Sequence, residues 1–192
     1  MSFETVEEIT RLVKEREDEQ SSLREQMEDD YDLWAQEEYE YTDALGNVRE
    51  GYMSYTSSAP RNFFDKVLDG LNQTPVSIQI KSSDEATEKE RRAAEKGELF
   101  LFGALEAADR LLARQGEPSL KRGLSFYICM RGWWALRALV YTPKGSKGVR
   151  YDVKAWDPLH VTWEIGSEGL LWAAYKRVAS QAQLKAEYGL RT

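Results

Sequence analysis

The spacing of apolar residues in this chain changes period near Gly132, and that change constrains the fold more than any single motif. Upstream, apolar residues recur at steps of one, three and four: Val6, Ile9 and Val13; Leu23, Met27, Tyr31 and Trp34; Phe63, Phe64, Val67, Leu68 and Leu71; Leu120, Leu124, Tyr127 and Ile128. That is the spacing of one helix face. Downstream come four alternating, strand-like runs: Trp133 to Tyr141, Val149 to Trp156, Val161 to Ile165 and Leu170 to Val178. Pro143-Lys144-Gly145, Asp157-Pro158 and Gly166-Ser167-Glu168-Gly169 separate them. Connections this short cannot make a parallel crossover, so they predict an antiparallel meander. The expected class is α+β, with N-terminal helices, a helix-strand unit and long helices packed on the meander.

Boundary residues sharpen the helical half. Thr5-Val6-Glu7-Glu8 and Ser22-Leu23-Arg24-Glu25 each have the form of a capping box, so the first forty residues predict two helices or one bent helix. Its narrow apolar seam requires a partner surface, in the same chain or a neighbour. Gly46-Asn47 marks a turn in a weakly patterned stretch that also holds Tyr52 and Tyr55. Pro60 opens a helix that Gly70 to Pro75 closes, and Val76, Ile78 and Ile80 then alternate like a strand with one buried face. Ser82-Ser83-Asp84-Glu85 opens a long helix whose second half, Leu99 to Leu112, is apolar on more than one face, as in a helix between two layers. Gly97 and Gly103 within it predict a bend or a close helix contact. Pro118 suits the first turn of the next helix and Gly132 its C-terminal stop, with a buried strand from Ser125 to Met130 as the competing reading. Ser180 to Gly189 predicts a last short helix.

Charge divides the 192 residues unevenly. The total is −7, yet residues 1–50 hold 17 acidic and 5 basic side chains, a net of −12, while residues 51–192 carry a net of +5. We therefore divide the chain into an acidic helical arm, 1–58, and an α+β domain, 59–192. At 42% hydrophobic with six Trp, the chain has enough apolar material to fold. One Cys permits no internal disulfide, and one Cys with one His cannot build a zinc site of several such ligands. No run approaches the roughly 18–20 apolar residues of a membrane span, and Met1-Ser2-Phe3-Glu4 is not the start of a signal peptide, so a soluble intracellular protein is expected.

Candidate chemistry is sparse. His160 follows the Asp157-Pro158 turn, where a turn-holding role outweighs that of a general base, and Cys129 lies on an apolar stretch that favours packing over nucleophilic attack. Glu28-Asp29-Asp30-Asp32 lacks the alternating ligands and turn Gly of a calcium loop and is expected as a solvated helix face. No phosphate loop or dinucleotide fingerprint is present. The sequence thus predicts no catalytic set, no cofactor site and no metal site. Lys144, Lys147 and Arg150 cluster about one hairpin, with Arg91-Arg92 and Lys121-Arg122 as further basic pairs, and are the candidate phosphate contacts. Trp133, Trp134, Trp156, Trp163 and Trp172 fall on strand patterns, where packing is expected in place of stacking on bases.

Ala59-Pro60-Arg61-Asn62-Phe63-Phe64 through Pro75-Val76, the long helix, the helix ending at Gly132, the meander with Asp157-Pro158, and the closing Tyr175-Lys176-Arg177 and Leu184-Lys185-Ala186-Glu187-Tyr188-Gly189 form an ordered set. Over about residues 20–190 this order resembles the N-terminal portion of a tailed-bacteriophage portal protein. The resemblance implies a structural, non-enzymatic homo-oligomer, a dodecameric ring at one capsid vertex of the virion, assembled in the host cytoplasm. Such a ring forms the channel for double-stranded viral DNA, touches the major capsid protein, docks the terminase and later joins tail adaptor proteins. The matching segment corresponds to the outer wing. Portal proteins also carry stem helices and a clip that have no counterpart before Thr192, which implies a fragment, one half of a split gene or a shortened relative. Two alternatives come from other classes: a monomeric or dimeric binding module with a Trp-rich sheet, and a DNA-binding domain using the Lys144 to Arg150 hairpin.

Overall fold

The computed structural model describes residues 5–38, 41, 43–49, 51, 56–81, 83, 87–142 and 147–188. The first forty residues form two helices, α1 (Val6–Glu19) and α2 (Ser21–Ala35), that meet at Gln20. The Thr5 hydroxyl accepts the Glu8 N–H at 3.1 Å, as its capping pattern predicts. The second predicted cap is displaced: α2 starts at Ser21, before Ser22, and has no side-chain cap. Continuity from α1 supplies acceptors there, since the N–H of Arg24 donates to the Gln20 carbonyl. The arm finds its partner within the chain, α1 lying on the strand Val161–Gly166 and α2 on the helices Ala59–Gln73 and Leu120–Arg131. The predicted turn at Gly46-Asn47 is present, with the Asp43 carboxylate accepting the N–H groups of Leu45 and Asn47. Tyr52 and Tyr55 lie outside the described residues.

Helix α3 (Ala59–Gln73) begins with Pro60 in its first turn and buries Phe64. The strand expected after it does not form. Residues 75–80 join no sheet, and Val76 and Ile80 remain 53% and 40% exposed. Alternation makes a segment fit for a strand, but a strand also needs a neighbouring edge. This stretch instead crosses helix α4 (Glu88–Arg114): the Ile80 N–H donates to Glu98 Oε1 at 2.8 Å, and Ile80 Cδ1 would lie 2.7 Å from a Cβ on Gly97. Gly97 thus serves a close approach, though to an extended segment and not to a helix, while a Cβ on Gly103 would meet open space.

The cap of α4 is Thr87, not the Ser82 to Glu85 stretch, of which 82, 84 and 85 lie outside the described residues. Thr87 and Glu90 form a reciprocal capping box, with the Glu90 carboxylate accepting the Thr87 N–H at 2.7 Å. The two-layer burial expected for Leu99 to Leu112 is also corrected. Ala108 and Leu112 are buried, but Leu99 and Phe100 stand 73% and 58% exposed, because burial on α4 is confined to its last turns, where Asp109 meets Leu120.

Helix wins over strand in α5 (Leu120–Arg131), with Ser119 as cap and Gly132 closing it at φ +68°, a conformation that costs glycine little. Pro118 sits one residue before the cap, outside the first turn. Asp109 Oδ1 accepts the Leu120 N–H at 2.7 Å and ties α4 to α5. A Cβ on Gly123 would lie 3.2 Å from the Ala155 Cβ, so a glycine there lets α5 approach the sheet.

The strands are antiparallel, and the class is α+β. They form two hairpins where one continuous meander is expected: β1 (Ala135–Tyr141) with β2 (Arg150–Trp156), and β3 (Val161–Gly166) with β4 (Gly169–Tyr175). The interruption is local. Asp157 Oδ1 accepts the Leu159 N–H at 3.0 Å and starts a 3-10 turn, Pro158–His160, that rotates β3 out of the β2 ladder. Trp156 and Tyr175 stack across the break at 4.6 Å and 7°. Helix α6 (Gln181–Tyr188) ends the described chain, its predicted Gly189 stop lying beyond it.

Candidate assembly surface

Three arginines join the acidic arm to the rest of the chain. Arg24 donates to the carbonyl oxygens of Leu159 (2.6 Å) and Val161 (3.2 Å) and to the Thr162 hydroxyl (2.8 Å). Arg16 pairs with Glu164 at 2.5 Å, and Arg131 of α5 donates to the Met27 carbonyl of α2. Two of the five bases of the acidic half, Arg16 and Arg24, therefore point inward, while Glu28, Asp29, Asp30 and Asp32 are exposed, as expected of a solvated face.

Helix α1 depends on this polar attachment, since it has no buried residue and Val6 and Ile9 are exposed. The Trp172 indole N–H, donating at 2.7 Å, and the Arg16 guanidinium hold the Glu164 carboxyl below the usual carboxylate range. A depressed pKa stabilises the docked form above the unfolded value of about 4.3 and loses that effect as pH falls through the folded value. We expect amide protection factors along α1, corrected for the intrinsic pH dependence of exchange, to fall below about pH 4.3, and Glu164→Gln to abolish that step. Unchanged protection of α1 across this range would count against the clip.

The remaining candidates separate. Lys147 and Arg150 are exposed on the β1–β2 hairpin, Arg150 opposite Tyr141, whereas Lys144 lies outside the described residues. Lys121 is directed into the C-terminal end of α3, donating to the carbonyls of Asn72 (2.8 Å) and Thr74, a helix-capping role that its pairing with Arg122 did not reveal. Arg92 pairs with Glu88 at 2.5 Å on an exposed face of α4. His160 is exposed, and its backbone holds the turn, the N–H donating to the Asp157 carbonyl and the carbonyl accepting from Lys176. The Asp157 carboxylate is engaged by Leu159 and Arg131. Cys129 is half-buried, and burial pushes its thiol pKa up, away from the reactive thiolate. Among the described residues, no group of three His, Cys, Asp or Glu side chains is placed to hold a metal ion.

Packing accounts for only part of the tryptophan set. Trp156, Trp163 and Trp172 are half-buried on strands, but Trp133 and Trp134 precede β1 and are 47% and 54% exposed. A cleft of about 540 Å³ opens between α3, α5 and the hairpins, walled by Trp34, Phe64, Phe126, Tyr127, Trp156 and Tyr175, with Arg122 and Lys154 among its polar groups.

Exposed apolar side chains carry the strongest signal: Leu99, Phe100, Leu101 and Phe102 on α4; Leu139, Val140 and Tyr141 on β1; Leu33 and Phe63 on α2 and α3. Clusters of exposed large apolar side chains mark interaction surfaces.

No protein-family model, curated protein or solved structure matches this chain.

Proposed function

We propose that the chain is a structural, non-enzymatic assembly protein that works as part of a homo-oligomeric ring, in the manner of the wing portion of a tailed-bacteriophage portal protein. In that role it surrounds double-stranded DNA at a capsid vertex and meets the major capsid protein, the terminase and tail adaptor proteins. The observation that carries the reading is the apolar surface left uncovered on α4, β1 and the α2–α3 pair. Native mass spectrometry and negative-stain microscopy of the intact gene product test it. Closed rings are the expected result, and a strict monomer at all concentrations removes the reading.

A binding module is the second reading, favoured by the aromatic cleft between Trp34, Phe126 and Trp156. It requires a monomer whose tryptophan fluorescence shifts on addition of a peptide ligand.

A further inference from the structure

Two exposed patches on this chain each combine apolar side chains with charge, and the charges are of opposite sign. One is a groove of about 290 Å³ between α2, α3 and α5, lined by Leu33, Pro60, Phe63, Val67 and Met130 with Asp30 at its rim. Leu33 and Phe63 are 53% and 71% exposed. The helices around it are acidic, with Glu25, Glu28, Asp29, Asp30 and Asp32 on α2 and Asp65 and Asp69 on α3, all exposed. Of the nearby bases, Arg24 is turned inward, Arg61 lies over the Trp34 ring at 5.4 Å, and Lys66 is exposed.

The other patch is the set of described residues Leu139, Tyr141, Lys147 and Arg150 at the tip end of the β1–β2 hairpin. In the antiparallel register Tyr141 lies opposite Arg150 and Leu139 opposite Asp152, which places these four residues on one face. Asp152 is occupied by Arg137, so Arg150 and Lys147 set the charge of the tip. Leu139 and Tyr141 project beside them, both more than 40% exposed.

Resting on the ring reading above, we infer that the hairpin tip of one copy seats in the α2–α3 groove of the next. Leu139 and Tyr141 supply the apolar contact, and Lys147 and Arg150 face the α2 carboxylates. A second copy fits better than DNA, because a phosphate backbone satisfies the two cations but leaves Leu139 and Tyr141 in water and is repelled by the groove. The two patches differ, so the contact is heterologous. Each copy offers one tip and one groove, the arrangement that closes into a ring when the rotation permits. Complementary charge at the rim steers association and penalises wrong registers.

Charge reversal on each side provides the test. One full-length chain carries Lys147→Glu and Arg150→Glu; another carries Asp29→Lys and Asp30→Lys. All four positions are exposed, and circular dichroism checks that both chains fold. Sedimentation velocity on each variant alone is expected to show association weakened by at least about tenfold, because tip and groove then repel. Mixed in equal amounts, the two variants regain wild-type association, since each tip now meets a groove of opposite charge. Wild-type assembly by the Lys147→Glu/Arg150→Glu chain overturns this docking mode and leaves the ring reading intact, as does a mixture that stays dissociated. Loss of duplex DNA binding by that variant with assembly unchanged also overturns it and assigns the hairpin to DNA. A wild-type chain that never associates removes both.

Discussion

Replacing Arg131 with alanine is expected to lower unfolding free energy by about 3–5 kcal/mol, the range for removing one member of a buried ion pair. Arg131 is 8% exposed, among the most buried charged side chains described here. Its Nε and Nη2 donate to the two Asp157 oxygens at 3.3 Å each, a fork-on-fork pair. The same guanidinium donates to the Met27 carbonyl and lies over the Tyr31 ring at 5.3 Å. One side chain therefore joins α5, α2 and the turn that separates the two hairpins. Alanine leaves the partly buried Asp157 carboxylate without its cation, which is the main source of the cost. Lysine keeps the charge and loses the fork, so Arg131→Lys should fall between wild type and alanine. Arg131→Met combined with Asp157→Asn should recover part of the loss, because no charge is then left unpaired. Urea unfolding measures all three; an alanine variant within about 1 kcal/mol of wild type would remove this residue from its joining role.

Two adjacent phenylalanines should behave in opposite ways. Phe64 is buried at the centre of an aromatic set, its ring 5.7 Å from Trp34 and 5.6 Å from Phe126, with Trp34 and Phe126 themselves 5.8 Å apart. Phe64→Ala should cost about 3–5 kcal/mol through lost burial and the cavity left among rings that cannot collapse together. Phe63 is 71% exposed, and Phe63→Ala should change unfolding by no more than about 0.5 kcal/mol. Its effect should appear in association instead, since Phe63 lines the proposed groove. Comparable losses of unfolding free energy at the two positions would mean that the α3 surface is not divided as described.

Most helices were legible because their signals are local. Thr5 and Pro60 at helix starts and Gly132 at a stop act within one turn of the backbone, and each does in the structure what its type predicts. The cap expected at Ser82 to Glu85 stands instead at Thr87, where Glu90 completes the box, because the residue that ends the preceding loop is set by how that loop crosses the helix. Val76 to Ile80 has the alternation of a strand, yet pairing depends on an edge that no local pattern reports. The division of the meander turned on a three-residue 3-10 turn whose geometry Asp157 sets jointly with Arg131, 26 positions earlier in sequence.

The candidate surface was legible only in part. Lys147 and Arg150 were identified by charge, and the structure adds Leu139 and Tyr141 beside them through strand register. The groove that faces them in the proposed contact was not foreseen, because Leu33, Phe63 and Met130 come from three helices and share no spacing rule.

From residue order alone came the class, most helix limits, the antiparallel sense of the strands and the uneven distribution of charge, since each depends on neighbours within a few positions. Tertiary structure alone decided that Arg16, Arg24 and Arg131 face inward, that the sheet divides in two, and that the Leu99 to Phe102 turn of α4 meets solvent. The physical reason is that desolvation and pairing depend on which distant segments meet, and the chain encodes those meetings through the joint packing of many residues, none of which specifies its partner by type.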